Sequence, residues 1–202
     1  LFRSYIQSAA GDAGGAIGAA LVAARQLGDT QRFHMSHAYY GPHFSDLELG
    51  ALLKQESERL TAAGCQIVEF QDTSNLCRAT AQAISEGKVI GWFQGRSEFG
   101  PRALGNRSII ADPRTPEMKD ILNRRVKHRQ PFRPFAPIVL YERAHEIFEG
   151  EEDSPYMLIA KPVRPEWRDK IPAIVHVDGT ARVATLNIGG STATTVSFVI
   201  GV

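Results

Sequence analysis

Residues 88–111 read KVIGWFQGRSEFGPRALGNRSIIA. Both ends of this stretch are apolar and rich in β-branched residues, which predicts strands over 88–93 and 108–111. Three glycines and one proline interrupt the residues between them. Gly and Pro at such positions mark turns of defined backbone shape. The stretch therefore predicts two strands joined by an irregular loop, residues 95–108, which we name the central motif.

Helical and strand patterns alternate on both sides of the central motif. This alternation predicts an α/β fold with a twisted mixed sheet and flanking helices. The helices are predicted within 11–21, where a glycine-rich turn leads into an Ala-rich helix, at 46–63 with Ser45 as N-cap, at 74–86, at 115–126 with Thr115 as N-cap and Pro116 first, and at 142–148. Besides the two flanking the motif, the strands are predicted at 68–70, 135–140, 157–163, 173–177 and 181–186.

The composition excludes several classes of protein. The chain has 202 residues, of which 43% are hydrophobic, as in ordinary folded domains. No apolar run approaches the ~18–20 residues that span a bilayer, and two cysteines cannot form a disulfide framework. We therefore expect a cytoplasmic protein with no membrane partner. The chain begins with Leu1 and has no signal peptide, so we expect a piece of a longer protein.

Charge is concentrated around the central motif. Residues 96–133 contain ten basic and four acidic residues, whereas the whole chain has a net charge of only +1. A local surplus in a nearly neutral protein predicts an anion site, and we do not expect a nucleic-acid partner. The alternative is a solvated surface rich in arginine.

The residue types in the central motif favour phosphate binding. Arg96, Arg102 and Arg107 project from a backbone shaped by Gly and Pro, and Asn106 and Ser108 add neutral hydrogen-bonding groups. A guanidinium group matches two phosphate oxygens at once. The alternative is an exposed connector whose arginines pair with surface carboxylates.

A second basic segment, 123–137, reads NRRVKHRQPFRPFAP. Cations at a helix C-terminus complement the helix dipole, which accounts for Arg124 and Arg125. We expect Arg133, which lies in a Phe- and Pro-rich turn before an apolar strand, to be partly buried and to need an anionic partner. Asp178 and Gly179 predict a turn, after which Arg182 is expected on a surface hairpin.

The sequence does not predict a metal site or a covalent nucleophile. His34 and His37 are three residues apart, as metal ligands on a helix can be, but no third ligand accompanies them. Motifs of Ser or Cys nucleophiles are absent from the sequence.

Two segments, GWFQGRSEFGPRALGNRSIIADPR (91–114) and KHRQPFRPFAP (127–137), closely resemble the O-carbamoyltransferases of the NodU/CmcH/TobZ type. The segment AAGDAGGAIGAAL (9–21) is similar to the end of the N-terminal domain of that family, which has the Kae1-like ATPase fold. Residues 40–47 resemble the connector into the second domain. The resemblance covers about residues 1–186. It implies the end of the Kae1-like domain and the connector at 1–38, a YrdC-like domain at 39–186, and an unrecognised tail at 187–202.

The resemblance implies a two-step reaction. The YrdC-like domain forms carbamoyl-adenylate from carbamoyl phosphate and ATP with Mg²⁺, and the Kae1-like domain transfers the carbamoyl group to a hydroxyl of a sugar or natural product. The resemblance also implies which residues line the site: catalytic Arg102, Lys127 and Arg133, nucleotide- and substrate-binding Arg182, and as further candidates Asn106, Arg107 and Ser108. Fixed cations of this kind offset the repulsion between two polyanions.

Two departures from the family are expected to matter. Nearly all of the Kae1-like domain, with its iron-type metal and its acceptor site, is missing from this chain. A Ser-x-Asn signature expected after Leu186 is also absent, since the chain there reads NIGGSTATTV (187–196). Two alternatives stay open: a YrdC-like nucleic-acid-binding module of tRNA modification, and a catalytically incomplete fragment.

Overall fold

The structure, a computed structural model, describes residues 6–150 and 153–186. The predicted tail at 187–202 lies outside this range. Helices and strands alternate in the described residues, in the order α1 Asp12–Gln26, α2 Asp46–Gln55, α3 Ser57–Ala62, α4 Thr73–Ser85, β1 Ile90–Phe93, β2 Arg107–Ile110, α5 Met118–Ile121, β3 Ile138–Leu140, α6 Tyr141–Ile147, β4 Ile159–Pro162, α7 Pro165–Arg168 and β5 Thr180–Leu186. A π-helical turn, Leu122–Val126, follows α5, and a 3-10 turn, Pro172–Ile174, precedes β5.

The strands form two small sheets. β1 and β2 pair antiparallel, with Ile90 opposite Ile110. In the second sheet β5 lies between β3, which is parallel to it, and β4, which is antiparallel. The predicted mixed α/β class is confirmed. The expectation of one sheet is wrong for the described residues, because β1 and β2 pair only with each other there.

The alternation of side chains along β5 sets the position of the site. Ala181 and Val183 belong to an apolar cluster with Phe148 and Val163. The neighbouring positions face the other side of the sheet, because successive strand residues alternate. On that side Ala184 packs in a second cluster that contains Leu104 of the central motif. Arg182 therefore shares a face of β5 with the residue that packs against the motif.

The predicted N-cap Ser45 is confirmed. The Ser45 hydroxyl accepts a hydrogen bond from the Glu48 amide at 3.3 Å, and the Glu48 carboxylate accepts one from the Ser45 amide at 2.7 Å. This reciprocal pair is a capping box, which satisfies two donors at the start of α2. At the start of α4, the Asp72 carboxylate accepts from the Asn75 amide at 2.8 Å.

Two helix predictions need correction. The predicted helix 46–63 is two helices, α2 and α3, which break at Glu56. The predicted helix 115–126 begins only at Met118, with Glu117 as its N-cap, and then widens into the π-helical turn. Thr115 and Pro116 thus lie before the helix.

Two strand predictions are wrong. Residues 68–70 lie in an exposed segment that pairs with no described strand, and Val68 is 65% exposed. The apolar run 173–177 contains the end of the 3-10 turn, where Ala173 and Ile174 are buried against other apolar side chains. Burial accounts for Ala173 and Ile174, whereas Val177 at the end of the run is exposed; periodicity in so short a segment does not distinguish burial from strand pairing.

The described helices include none that is both long and apolar enough to cross a bilayer.

Candidate functional site

The Glu98 carboxylate shapes the central motif. Its Oε1 atom accepts hydrogen bonds from the backbone amides of Leu104, Asn106 and Arg107, at 2.7, 2.8 and 3.2 Å. A carboxylate that accepts several backbone N–H groups makes strong, charge-assisted hydrogen bonds. The motif is therefore folded around the negative charge of Glu98. The Glu98 carboxylate bonds to backbone amides and, among the residues that the structure describes, forms no salt bridge with the arginines of the motif.

We expect Glu98→Ala to lower the free energy of unfolding by about 2–3 kcal/mol, because three partly buried amides lose their acceptor. Glu98→Gln retains a side-chain oxygen and is expected to cost about 1 kcal/mol less. Urea denaturation followed by circular dichroism measures both. Equal stability of wild type and Glu98→Ala would show that the carboxylate does not hold the motif.

Three predicted site residues make structural contacts inside the motif. The Arg107 guanidinium donates to the carbonyl oxygens of Asn106 and Gly95, at 2.9 and 3.1 Å, and lies 3.6 Å from the centre of the Phe93 ring. Burial lowers the pKa of Arg107, while the nearby charge of Glu98 acts in the opposite direction. The Asn106 amide donates to the Arg96 carbonyl at 2.6 Å, and the buried Ser108 hydroxyl accepts from the Gly105 amide at 2.9 Å.

The segment 38–42 braces the motif from outside. The Gly41 amide donates to the Ser97 carbonyl at 2.9 Å, and a side chain at position 41 would collide with the Ser97 hydroxyl. The Tyr39 hydroxyl donates to the Leu104 carbonyl at 3.0 Å, and burial, followed by the charge of Glu98, raises the pKa of Tyr39. Gly41, which lies in the segment 40–47 that resembles the connector, thus helps to support the central motif.

Asn123 organises residues 127–133 of the second basic segment, which we name the basic turn. The Asn123 side chain is fully buried. Its amide nitrogen donates to the carbonyls of Pro131 and Arg133 at 3.1 and 3.0 Å, and its amide oxygen accepts from Nε of Arg129 at 2.7 Å. The Asn123 carbonyl also accepts from the Arg129 amide at 2.9 Å, a contact reached through a positive φ of 48° at His128. One side chain thus determines the shape of the whole turn.

The structure brings Arg102 and Arg182 together. The Nε atoms of both arginines are buried, and neither donates a hydrogen bond to a described residue. The pKa of Arg182 is lowered, first by burial and then by the positive charges of Arg102 and Arg129. The pKa of Arg129 is lowered by burial and then by the charge of Arg133. Arg102, Arg129, Arg133 and Arg182 thus form one group of mutually repelling charges, which we name the arginine cluster.

The arginine cluster has no carboxylate partner among the residues that the structure describes. Ion pairs there use other arginines, such as Arg114 with the buried Asp112 at 2.5 Å and Arg124 with Asp120 at 3.5 Å. Buried or half-buried cations without counter-ions are unfavourable unless a ligand supplies the negative charge. The arrangement is chemically suited to bind a multiply charged anion such as a phosphoryl group.

Arg133, a member of the cluster, and Lys127, two residues before Arg129 in the basic turn, both have exposed side chains. The expectation that Arg133 is partly buried is wrong, because the turn that Asn123 holds exposes the Arg133 side chain while its carbonyl points inward. Lys127 is also exposed, and no hydrogen bond or ion pair ties its side chain to another residue in the described ranges. Arg182 is not on a surface hairpin, because β5 is the central strand of its sheet, and α7 and the 3-10 turn separate it from its antiparallel neighbour β4.

Sequence reasoning did not single out Glu98, Asn123 or Arg129. Each lies in or near a segment that the sequence marked as functional, but each was one polar residue among many. One signal in the sequence could have identified Glu98, because it is the one acidic residue in a motif that contains three arginines. The described residues contain no group of three or more His, Cys, Asp or Glu side chains placed to hold a metal ion.

The fold and the arginine cluster define an α/β protein with a candidate site for a phosphorylated ligand. The family model described as Carbamoyltransferase C-terminus matches residues 81–195, which is more than half of the chain. The chain therefore belongs to this family of carbamoyltransferase C-terminal regions. The match includes the central motif, the basic turn and β5.

Curated relatives agree with this assignment. The chain is 40% identical to an uncharacterised protein of Synechocystis, over 91% of the chain and 33% of that protein. It is 44% identical to nodulation protein NolNO of Sinorhizobium fredii, over 91% of the chain and 26% of the relative. It is 47% identical to nodulation protein U of Rhizobium tropici, over 62% of the chain and 20% of the relative. The chain thus spans about a third or less of the length of these relatives.

Proposed function

We propose that this chain is the YrdC-like, carbamoyl-adenylate-forming part of an ATP-dependent O-carbamoyltransferase that acts in the cytoplasm. The observation that carries the proposal is the pair Arg102 and Arg182. Their positive charges repel each other, and their buried Nε atoms have no hydrogen-bond partner among the described residues. Two anionic substrates, carbamoyl phosphate and ATP, would supply the missing negative charge. The membership in the carbamoyltransferase family supports this choice of substrates.

In the proposed reaction, water attacks carbamoyl phosphate and inorganic phosphate leaves. An oxygen of the resulting carbamate then attacks the α-phosphorus of ATP, the bond from that phosphorus to the bridging oxygen breaks, and pyrophosphate leaves with the electron pair. Arg102 and Arg182 hold the phosphoryl oxygens, and Lys127 and Arg133 close the exposed side. These cations stabilise the charge that develops at phosphorus. Mg²⁺ would arrive as part of the substrate, bound to the phosphate oxygens of ATP.

The second step, transfer to an acceptor hydroxyl, belongs in this proposal to the part of the longer relatives that this chain does not span. The acceptor hydroxyl, carried by a sugar or natural product, and the iron-type metal would bind there. Several relatives are named as nodulation proteins, but those names describe the relatives and do not identify the acceptor of this protein.

Thermal unfolding with ligands tests the proposal. We expect Mg·ATP and carbamoyl phosphate, each at about a hundredfold above Kd, to raise the melting temperature by about 5–10 °C. Lys127→Ala and Arg133→Ala are exposed positions that should fold normally and lose most of this shift. Arg143→Ala, which removes an exposed arginine paired with Glu146 on α6, is the matched control and should keep it. A folded wild type with no shift from either ligand would contradict the proposal for this chain.

A further inference from the structure

Arg129 is an arginine whose contacts account for only part of its side chain. Its Nε donates to Asn123 at 2.7 Å, and its Cζ lies 4.8 Å from the centre of the Phe135 ring. One terminal nitrogen has a long contact of 3.5 Å with the Pro134 carbonyl. A guanidinium has five N–H donors in a planar fork. The remaining donors have no partner among the described residues, although the group is partly buried.

The fold brings Arg129 close to Arg102 and Arg182, whose Nε atoms are buried. The basic turn leads directly into β3, which pairs in parallel with β5, and the Ala184 amide donates to the Pro137 carbonyl at 2.9 Å. Ala136 and Ile138 pack in the same cluster as Leu104 and Ala184. The central motif, the basic turn and β5 therefore converge at one place. The lowered pKa of Arg182 reports the same proximity, because the charge of Arg129 contributes to it.

We propose that Arg129 is a phosphate-binding residue of this site, oriented by its hydrogen bond to the buried Asn123, and that with Arg102 and Arg182 it binds one phosphoryl dianion from three sides. This inference rests on the proposed function, since the dianion is a phosphoryl group of carbamoyl phosphate or of ATP. Asn123 uses the Nε–H of Arg129 and so leaves the outer edge of the guanidinium for two phosphate oxygens. The exposed Arg133 and Lys127 then act as the outer wall of the site.

A purely structural Arg129 is the alternative, and one substitution separates the two roles. In Arg129→Gln the amide nitrogen occupies the place of Nε, one bond beyond Cδ. It can still donate to Asn123, while the charge and the outer edge of the guanidinium are lost. If Arg129 has only a structural role, Arg129→Gln should match wild type in both stability and ligand affinity. If Arg129 binds phosphate, the variant should be as stable as wild type but should bind the phosphorylated ligand weakly.

The experiment is isothermal titration calorimetry of the 202-residue chain with freshly dissolved carbamoyl phosphate and, separately, with Mg·ATP. We expect Arg129→Gln to melt within about 2 °C of wild type and to bind at least one ligand about 10- to 100-fold more weakly. The ligand that weakens identifies the source of the dianion. Arg124→Gln is the matched control, because Arg124 is exposed and pairs with Asp120, and its affinity should equal that of wild type.

Arg102→Ala distinguishes failure of this inference from failure of the proposed function. If wild type binds, Arg102→Ala does not, and Arg129→Gln binds like wild type, the inference is overturned and the proposed function stands. If wild type binds neither ligand, the proposed function is overturned and the inference with it. If Arg124→Gln and Arg129→Gln weaken ligand binding equally, the inference is also overturned, because Arg129 would then contribute only through the overall positive charge of the surface.

Discussion

Replacing Asn123 by alanine is expected to lower the free energy of unfolding by about 3 kcal/mol, the largest loss of stability that we predict. The side chain is fully buried and satisfies two backbone carbonyls and one guanidinium nitrogen. Alanine leaves all three groups without a partner. An unmade buried hydrogen bond costs about 1–3 kcal/mol, and neighbouring losses do not add fully.

Urea denaturation measures the effect of Asn123→Ala. The matched control is Asn75→Ala on α4, where the asparagine is exposed and its side chain bonds only to exposed neighbours. That change is expected to cost less than about 0.5 kcal/mol. A loss below about 1 kcal/mol in Asn123→Ala would show that the basic turn keeps its shape without this residue.

The second large effect combines a gain and a loss in one variant, Arg182→Met. Without ligand we expect the variant to be more stable than wild type by about 1–2 kcal/mol, because it removes a partly buried charge that Arg102 and Arg129 repel. Methionine retains most of the apolar stem. With Mg·ATP or carbamoyl phosphate the stabilisation by ligand should disappear, because the variant lacks the guanidinium that we propose binds the phosphoryl group.

Paired thermal and urea unfolding, with and without ligand, measures the two halves of this prediction. Arg114→Met is a control of opposite sign, because it leaves the buried Asp112 carboxylate without its cation and should destabilise the fold. If Arg182→Met is less stable than wild type in the absence of ligand, the positive charge of Arg182 is already compensated in the free protein. Retained ligand stabilisation would exclude Arg182 from the site.

The sequence predicted the elements whose causes are local. The Ser45 N-cap of α2 depends on residues within four positions, and strands β1 and β2 follow from short apolar runs around the central motif. The failures have non-local causes. Residues 68–70 are apolar without a partner strand, and Ala173 and Ile174 are apolar because other segments cover them.

For the candidate site, the sequence by itself determined the residue types, the surplus of cations and the family, because these are properties of the order of residues. Only the tertiary structure decided which cations meet. The alternation along β5 and the register between β3 and β5 bring Arg182 to Arg102 and Arg129, which are 80 and 53 residues away in sequence. The buried Asn123 turns the Arg133 carbonyl inward and its side chain outward, so contacts across the fold, and not the local pattern, determine which charges are buried.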